Sequence, residues 1–510
     1  MTSSQILHEL RDGKVSATVD PLSSFGNRLV DCLKLGGTLP VSRVLQTKVA
    51  RGLAHESTSA EEIARILCSD LVTPLRYLAL SNQTYYGRGQ KITTLEAAVS
   101  QLGLMRVGEK FEELGKIDEL RKSFHGRSLA LHALQSSLIE AHLSLRLAEE
   151  LSPRRKSEVT PFLVSSLLLS ATYLLALIRP HYYACCLLEG WAKPTTTIDR
   201  SFRKLVGSSV QQFGSDAGQA MGLPKLLGDF VLMLDAAPWN RKSWIVENNS
   251  ANQILLNATY VSHRLVQEMI SFRDSHKLSS LLRDFEGKGK MTRTALESAP
   301  VNIVRKYLRW MEMLGLVPFR LPKHLESYED QIVDRDGKIL EEPIHYPPLA
   351  QRLNPFLFEL KAALRAEEVP ANVSRLPQAV ATTLLALVRA LEFDRAVFFL
   401  RNRSSQTLEP AFLFGREVVD FDSFSISFDE ASEHSPVAQA CNREEAVFHG
   451  DPVFGDDWPF VAFPLIFEGR LDGVFYADKK QTKKAVPLGT DEQVSCIAIA
   501  EVWQSEGDTK

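Results

Sequence analysis

Twelve histidines are scattered along the 510 residues, and the chemistry they would most readily serve is metal-assisted hydrolysis. None is followed by aspartate. His8-Glu9 and His55-Glu56 lack the second histidine three residues on that would complete a helical zinc site. No metal-ligand set is therefore expected. Gly287-Lys288-Gly289-Lys290-Met291-Thr292 has the outline of a phosphate loop, but Asp284 stands where its first glycine belongs. Met291 occupies the hydroxyl position that would hold magnesium, so the stretch reads as a solvated basic turn. No Gly-x-Ser-x-Gly nucleophile elbow occurs. The six cysteines (Cys32, Cys68, Cys185, Cys186, Cys441, Cys496) form no Cys-x-x-Cys pair and are too few for a disulfide framework.

The composition sets the frame for these absences. With 59 basic and 62 acidic side chains the net charge is −3, which argues against nucleic acid as the main partner. A hydrophobic content of 45% excludes a disordered chain. At roughly 150 residues per domain the length suggests about two to four domains. The amino terminus has Glu9, Arg11 and Asp12 where an export signal would need its apolar run, so a reducing cytoplasm is expected. Val159 to Ile178 is charge-free and about long enough to span a bilayer, but Ser165, Ser166, Ser170 and Thr172 dilute it. The expectation is a helix buried on all sides, with no membrane partner.

From Ser59 to about Arg320, apolar residues recur at three- and four-residue spacing, which predicts successive helices. Ser59-Ala60-Glu61-Glu62 is a capping box ahead of Ile63, Ile66 and Leu67. Further helices are expected near 71–81, 94–102, 128–150, 160–178, 199–219, 223–234, 252–273 and 296–314. Between 328 and 355 the chain turns acidic and proline-bearing, with a turn at Asp336-Gly337. Helices over Pro355–Ala366 and Pro377–Phe393 are then expected. After them the pattern changes to short aromatic strands at 396–400, 409–414, 424–428, 460–467 and 470–478, with a hairpin at Glu468-Gly469. The fold class expected is multidomain, an all-α part followed by an α+β part with a central antiparallel sheet.

Residues 36 to 107 resemble the HDOD domain, a bacterial signalling module. The resemblance rests on Leu39-Pro40, the capped helix into Asp70, Asn82 twelve residues later, Tyr86-Gly87, and Ile92-Thr93-Thr94-Leu95 leading to Ala98, Leu102 and Gly103. Leu71 departs from the family's proline, and Gln83-Thr84 from its Ser-Ala. Asp70, Asn82 and Gly103 are read as structural: Asp70 capping the next helix, Asn82 closing its far end, Gly103 permitting a close turn. The family is similar to HD phosphohydrolases that have lost their metal site. Where the hydrolase pattern has Gly-Leu-Leu-His-Asp, this chain has Ser166-Leu167-Leu168-Leu169-Ser170. Leu169 and Ser170 thus stand in lost metal-ligand positions, and the upstream histidine falls near Gln135 to Ser137. His132 and His142 flank that point as ordinary helix-face or core residues. Met221-Gly222-Leu223-Pro224 resembles the family's Trp-x-Leu-Pro segment.

Residues 374 to 504 resemble a GAF domain, carried by the helix at 377–393, the strand Ala396–Leu400, Ser435-Pro436-Val437-Ala438-Gln439-Ala440 and the hairpin from Phe463 to Asp478. Ser435 is a natural N-cap with Pro436 at the first helical position. The resemblance implies a small-effector pocket over the sheet or a dimerisation unit. Cys441 as a chromophore anchor and His434 or His449 as haem ligands sit in no specific motif, so no cofactor is expected and the ligand is unknown. Phe448 to Trp458 could lid such a pocket or serve as a polar connection.

The organisation expected is a lead-in over 1–30, an HDOD-like domain over 31–327, a linker with a helix over 328–373, a GAF-like domain over 374–504 and a tail over 505–510. The function expected is that of a non-enzymatic cytoplasmic signal-transduction regulator. Its HDOD module would be a protein-interaction platform controlled by the GAF-like domain, with an unidentified signalling protein, a small effector or a second copy as partner. The alternative is a metal-dependent phosphohydrolase or cyclic-dinucleotide phosphodiesterase with unrecognised ligands.

Overall fold

The computed structural model describes residues 3–14, 25–37, 39–55, 57–83, 91–114, 120–152, 159–193, 198–234, 251–270, 275–288, 291–322, 325, 332–333, 339–341, 345–365, 375–418, 420–421, 424–427, 434–455, 457–480 and 487–507. Tyr86-Gly87, Asp336-Gly337 and most of the acidic stretch after 328 lie outside them.

Among the described residues the regular elements of the amino-terminal part are helices. It comprises α1 (Ser3–Arg11), α2 (Phe25–Leu33), α3 (Arg43–Leu53), α4 (Ala60–Leu67), α5 (Thr73–Ser81), α6 (Leu95–Leu102), α7 (Leu104–Glu109), α8 (Leu120–Ser123), α9 (Ser128–Leu151), α10 (Thr160–Ile178), α11 (Pro180–Ala192), α12 (Ile198–Val206), α13 (Val210–Met221), α14 (Lys225–Met233), α15 (Ala251–Ile270), α16 (Ser275–Phe285) and α17 (Arg293–Leu314). The capping box forms as the spacing requires: the Ser59 hydroxyl accepts from Glu62 N and the Glu62 carboxylate from Ser59 N. One helix expected over 199–219 is two. The chain breaks at Gly207-Ser208, and Ser209 caps the second piece by accepting from Gln212 N. Helix α17 starts earlier than expected because Thr292, at the end of the basic turn, caps it while Met291 is buried beneath. Helix α11 was not foreseen.

The apolar helix α10 is long and hydrophobic enough to cross a membrane by composition, yet fifteen of its 19 residues are buried within the protein. It pairs with α9 as an antiparallel hairpin, whose register is marked by the Ser144 hydroxyl donating to Pro161 O. Its apolar surface is thus consumed by neighbouring helices, and the hydroxyls of Ser170 and Thr172 turn back on the backbone, to Leu167 O at 2.8 Å and Leu169 O at 3.0 Å.

After the short strands β1 (Ile332–Val333) and β2 (Ile339–Glu341) come α18 (Leu349–Arg365) and α19 (Leu376–Leu385), the latter continuing into a π-turn over Ala386–Ala390. Helix α18 begins six residues before the expected Pro355, which it carries inside it. The sheet strands are β3 (Arg395–Asn402), β4 (Thr407–Gly415), β5 (Ile426–Ser427), β6 (Phe460–Phe467) and β7 (Arg470–Asp478), with α20 (Pro436–Arg443) and α21 (Thr490–Gly507). Strand β5 is shorter than the expected 424–428. The five strands run in the order β5-β4-β3-β7-β6, all antiparallel. The β6–β7 hairpin turns on Glu468 (φ 51°) and Gly469 (φ 67°), the doubly left-handed backbone that a two-residue hairpin demands.

Alternation along the strands divides the sheet's side chains. Ala396, Phe398, Leu400, Phe412, Phe463 and Phe475 join one apolar core that continues through α19 and the helical part to Leu7 in α1. Val397, Phe399, Leu408, Phe460 and Tyr476 form a second cluster on the opposite face. The helical part and the sheet are therefore joined by a shared core rather than strung on a linker. The amino-terminal lead-in contributes as well, since α1 packs on α11 and β4.

Candidate functional site

Three places could carry function: the Asp70–Asn82–Gly103 framework, the hairpin level of Leu169 and Ser170, and the outer face of the sheet. In the first, the buried Asp70 carboxylate accepts from Val72 N at 3.3 Å, Thr73 N at 2.8 Å and the Thr73 hydroxyl. It thereby satisfies the opening turn of α5. Asn82 donates to Leu78 O and Ile92 O and accepts from Ile92 N, each at 2.9 Å, tying together the two sides of residues 84–90. Gly103 has φ 77° between α6 and α7, a conformation L side chains avoid. A residue that sequence reading missed completes this framework. Arg76, fully buried, donates to Leu33 O, Leu39 O and Cys32 O, closing the end of α2. Burial lowers its pKa to about 10, against the raising effect of Asp70. The signal available was one cation in the apolar run Thr73-Pro74-Leu75-Arg76-Tyr77-Leu78.

Around the hairpin, Leu169 and Ser170 are both buried. Gln135 lies nine residues before Ser144 as Ser170 lies nine after Pro161, so the register puts them at one level. The Gln135 amide is used on both sides: Nε2 donates to Val317 O at 2.9 Å, and Oε1 accepts from the Tyr307 hydroxyl at 2.6 Å and Phe319 N at 3.3 Å. His132 is buried beside Phe319, and burial followed by the nearby Arg389 charge pushes its pKa well below 6.5. His142 stacks on Trp310 with ring centroids 3.7 Å apart, and burial lowers its pKa to about 3. These residues are built to stay neutral and to hold helices together. Among the described residues no group of three or more His, Cys, Asp or Glu could hold a metal ion.

A pair outside every motif lies between α9 and α15. His263 Nδ1 is 2.8 Å from Glu140 Oε1, and its Nε2 is 2.8 Å from Gln267 Nε2. Burial opposes the imidazolium, but the Glu140 carboxylate outweighs it and raises the pKa. The signal was weak, one histidine in a helix of mixed polarity.

On the outer face of the sheet, Phe448 to Trp458 folds over the strands. Phe454 packs against Phe424 at 5.1 Å, Tyr476 at 5.7 Å and Phe399 at 6.2 Å between ring centroids. The Tyr476 hydroxyl accepts from Val453 N. Arg395 holds the loop from below: it lies 4.5 Å from the Phe454 ring, donates to Phe454 O and Asp457, and bonds Asp478 twice, at 2.9 and 2.6 Å. Arg416 joins Asp457. Burial raises the Asp478 carboxyl to about 6 despite Arg395 and Arg416. Cys441 is buried in this cluster, whereas His434 and His449 are exposed.

Side chains also bridge the helical part and the sheet. Glu359 on α18 caps α9, accepting from the Ser128 hydroxyl at 2.6 Å and Leu129 N at 2.8 Å, and accepts from Gln378 of α19 at 3.1 Å. Trp191 of α11 packs on Phe414 of β4 at 4.6 Å.

Residues 39–234 match the model of the HDOD domain. No curated protein matches the chain. Among solved structures, the chain is similar to the MmoQ response regulator from Methylococcus capsulatus, with 17% identity, 51% of this chain and 97% of that chain covered, and a TM-score of 0.35. It is also similar to a virulence factor from Campylobacter jejuni, with 13% identity, 55% and 99% covered, and a TM-score of 0.37. A third is the GAF domain of a phosphoenolpyruvate-protein phosphotransferase from Coxiella burnetii, with 17% identity, 31% and 93% covered, and a TM-score of 0.24. The HDOD match supports a signalling role. The chain thus carries an HDOD domain at residues 39–234, within a helical part that is followed by an α+β unit with a five-stranded antiparallel sheet.

Proposed function

We propose that this chain is a non-catalytic signal-transduction regulator, its helical unit a protein-interaction platform whose surface is governed by the GAF-like unit. The observation that carries this reading is the side-chain chemistry at the hairpin. Gln135 is committed to three structural hydrogen bonds, Ser170 bonds its own helix, and Leu169 has no donor atom. A hard divalent cation needs several oxygen or imidazole ligands converging on one point. The six cysteines form no disulfide, which fits a reducing compartment.

Control by the GAF-like unit would be a population shift: an effector or a second copy that prefers one arrangement of the sheet biases α18 and α19, and through Glu359 the start of α9. The test is metal analysis of the purified full chain together with assays of phosphodiester hydrolysis in added manganese. No stoichiometric metal and no turnover are expected. Bound manganese, iron or zinc accompanied by hydrolysis overturns the reading. A thermal-shift panel of nucleotides addresses the sensing half, because a ligand at a hundred times its Kd stabilises by about 2.7 kcal/mol.

A further inference from the structure

The helix that enters the sheet ends irregularly. After α19 the backbone widens, Leu391 N donating to Ala386 O five residues back and Phe393 N to Leu387 O six back. Such π-turns hold one residue more than the α-register and recur where a helix must present a side chain off its regular path. The turn closes on Glu392, a non-glycine residue at φ 63°, whose carboxylate meets Arg320 at 3.1 Å and Arg352 at 2.7 Å. A left-handed residue of this kind persists only where neighbours hold it.

What the turn presents is Arg389. Its Nη2 donates to Ile270 O at 2.7 Å, the end of α15, and its Nη1 to Arg320 O at 3.2 Å, in the segment after α17. Its own carbonyl accepts from Arg320 N at 3.0 Å. The guanidinium lies 5.7 Å from the Phe414 ring in β4. Beside it is a cavity of about 10 Å³, lined among others by His132, Gln135, Tyr307 and Phe319. One side chain thus reaches two segments of the helical unit, a strand of the sheet, and the hairpin level where the hydrolase pattern would have its upstream ligand.

We propose that the π-turn Ala386–Ala390 is the coupling switch between the two units. In the π-register Arg389 is seated among Ile270, Arg320 and Phe414. Return to the α-register turns Arg389 away by about one residue's rotation and frees Phe319–Leu321 and the end of α15 from the sheet. This rests on the reading that the GAF-like unit governs the helical one, but its test needs no effector and no partner, so either can fail alone.

The test is hydrogen exchange on the full chain and on Arg389→Met, Arg389→Lys and a deletion of Ala386 that restores the α-register. For Arg389→Met we expect at least tenfold faster exchange in peptides covering Phe319–Leu321 and the last turn of α15, with α4 to α6 unchanged. Arg389→Lys, which keeps the charge without the fork, falls between. The deletion variant, where it folds, gives the Arg389→Met pattern. Unchanged exchange at those peptides in Arg389→Met, or an equal rise along the whole chain, overturns the proposal. So does a folded deletion variant that keeps both segments protected.

Discussion

The two faces of the sheet carry the same kinds of side chain but are buried by different partners. On the inner face Phe398, Phe412, Phe463 and Phe475 pack under α19 and α21, with Trp503 against Phe475 at 5.7 Å and its indole N–H donating to Thr383. These partners are regular helices, and the cluster runs on into the helical unit. On the outer face Phe399, Phe460 and Tyr476 are covered by the short helix α20 and by the loop carrying Phe454 and Trp458. Burial by helices that share a core makes a face part of the global fold, whereas burial by a loop leaves a face that can open at local cost.

The largest effect should follow from the inner face. Phe475→Ala removes a fully buried ring that touches Phe398, Phe463 and Trp503. The expected loss is about 3–5 kcal/mol, read as a shift in the urea midpoint. Because the core is shared, the helical signal by circular dichroism and the tryptophan fluorescence should shift together. Two separated transitions would break the comparison by showing that the sheet unfolds alone.

Acidification tests the same shared core from the helical side. His142 is neutral in the fold, its pKa lowered by burial to about 3. The unfolded chain binds a proton near 6.5, so this contribution is present above that value and is lost as pH falls towards 3. Unfolding free energy should drop by on the order of 2 kcal/mol per such histidine between pH 7 and 5. His142→Phe should reduce the drop, while His132 still contributes with the same sign. Asp478 runs in the opposite sense: burial raises it to about 6, so its contribution is present at low pH and lost as pH rises through that value. A sheet that stays folded while the helices melt in acid would contradict a common core.

The outer face should respond more weakly. Phe454 is only partly buried and sits on a loop that can settle into the space it leaves. Phe454→Ala should cost about 1–2 kcal/mol in the same urea titration, with faster exchange confined to 448–458 and the ends of β7. A loss equal to that of Phe475→Ala would erase the distinction between the faces.

What was legible in the sequence follows the range of the interactions. The Ser59–Glu62 box, the Ser435 cap and the Glu468-Gly469 hairpin involve neighbours within three residues, and their residue types admit few alternatives. The apolar, aromatic run Val397-Phe398-Phe399-Leu400 marked a strand without saying what covers either of its faces. Helix α11, Pro180-His181-Tyr182-Tyr183-Ala184-Cys185-Cys186-Leu187-Leu188, was missed because it is apolar on nearly every side, buried between other elements, and so lacks a period. The unbroken helix expected at 199–219 overlooked Gly207-Ser208-Ser209, whose local chemistry outweighed the apolar spacing on either side. Glu359 capping Ser128 and Arg389 reaching Ile270 join residues more than a hundred positions apart. A buried charge in an apolar run, as at Arg76, Arg389 and Glu359, is the one trace such contacts leave in a single sequence.

The smallest effect concerns the amino-terminal helix, expected to be a lead-in. Arg11 Nη1 meets Glu409 Oε2 at 2.6 Å, joining α1 to β4 at the rim of the shared core, with about a quarter of each side chain exposed. The hydrogen bond from Arg11, followed by that from Asn402, holds the Glu409 carboxyl below the usual carboxylate range. Its stabilisation is therefore present at neutral pH and lost as pH falls through the lowered value. A partly exposed pair contributes about 0.2–1 kcal/mol, so Arg11→Ala should lower the unfolding free energy by roughly that much at pH 7. The difference from wild type should vanish at 1 M salt, where the Debye length is about 3 Å. If the loss instead persists undiminished in high salt, Arg11 acts through its aliphatic stem against the sheet rather than through its charge, and α1 belongs to the inner-face core as fully as α19 does.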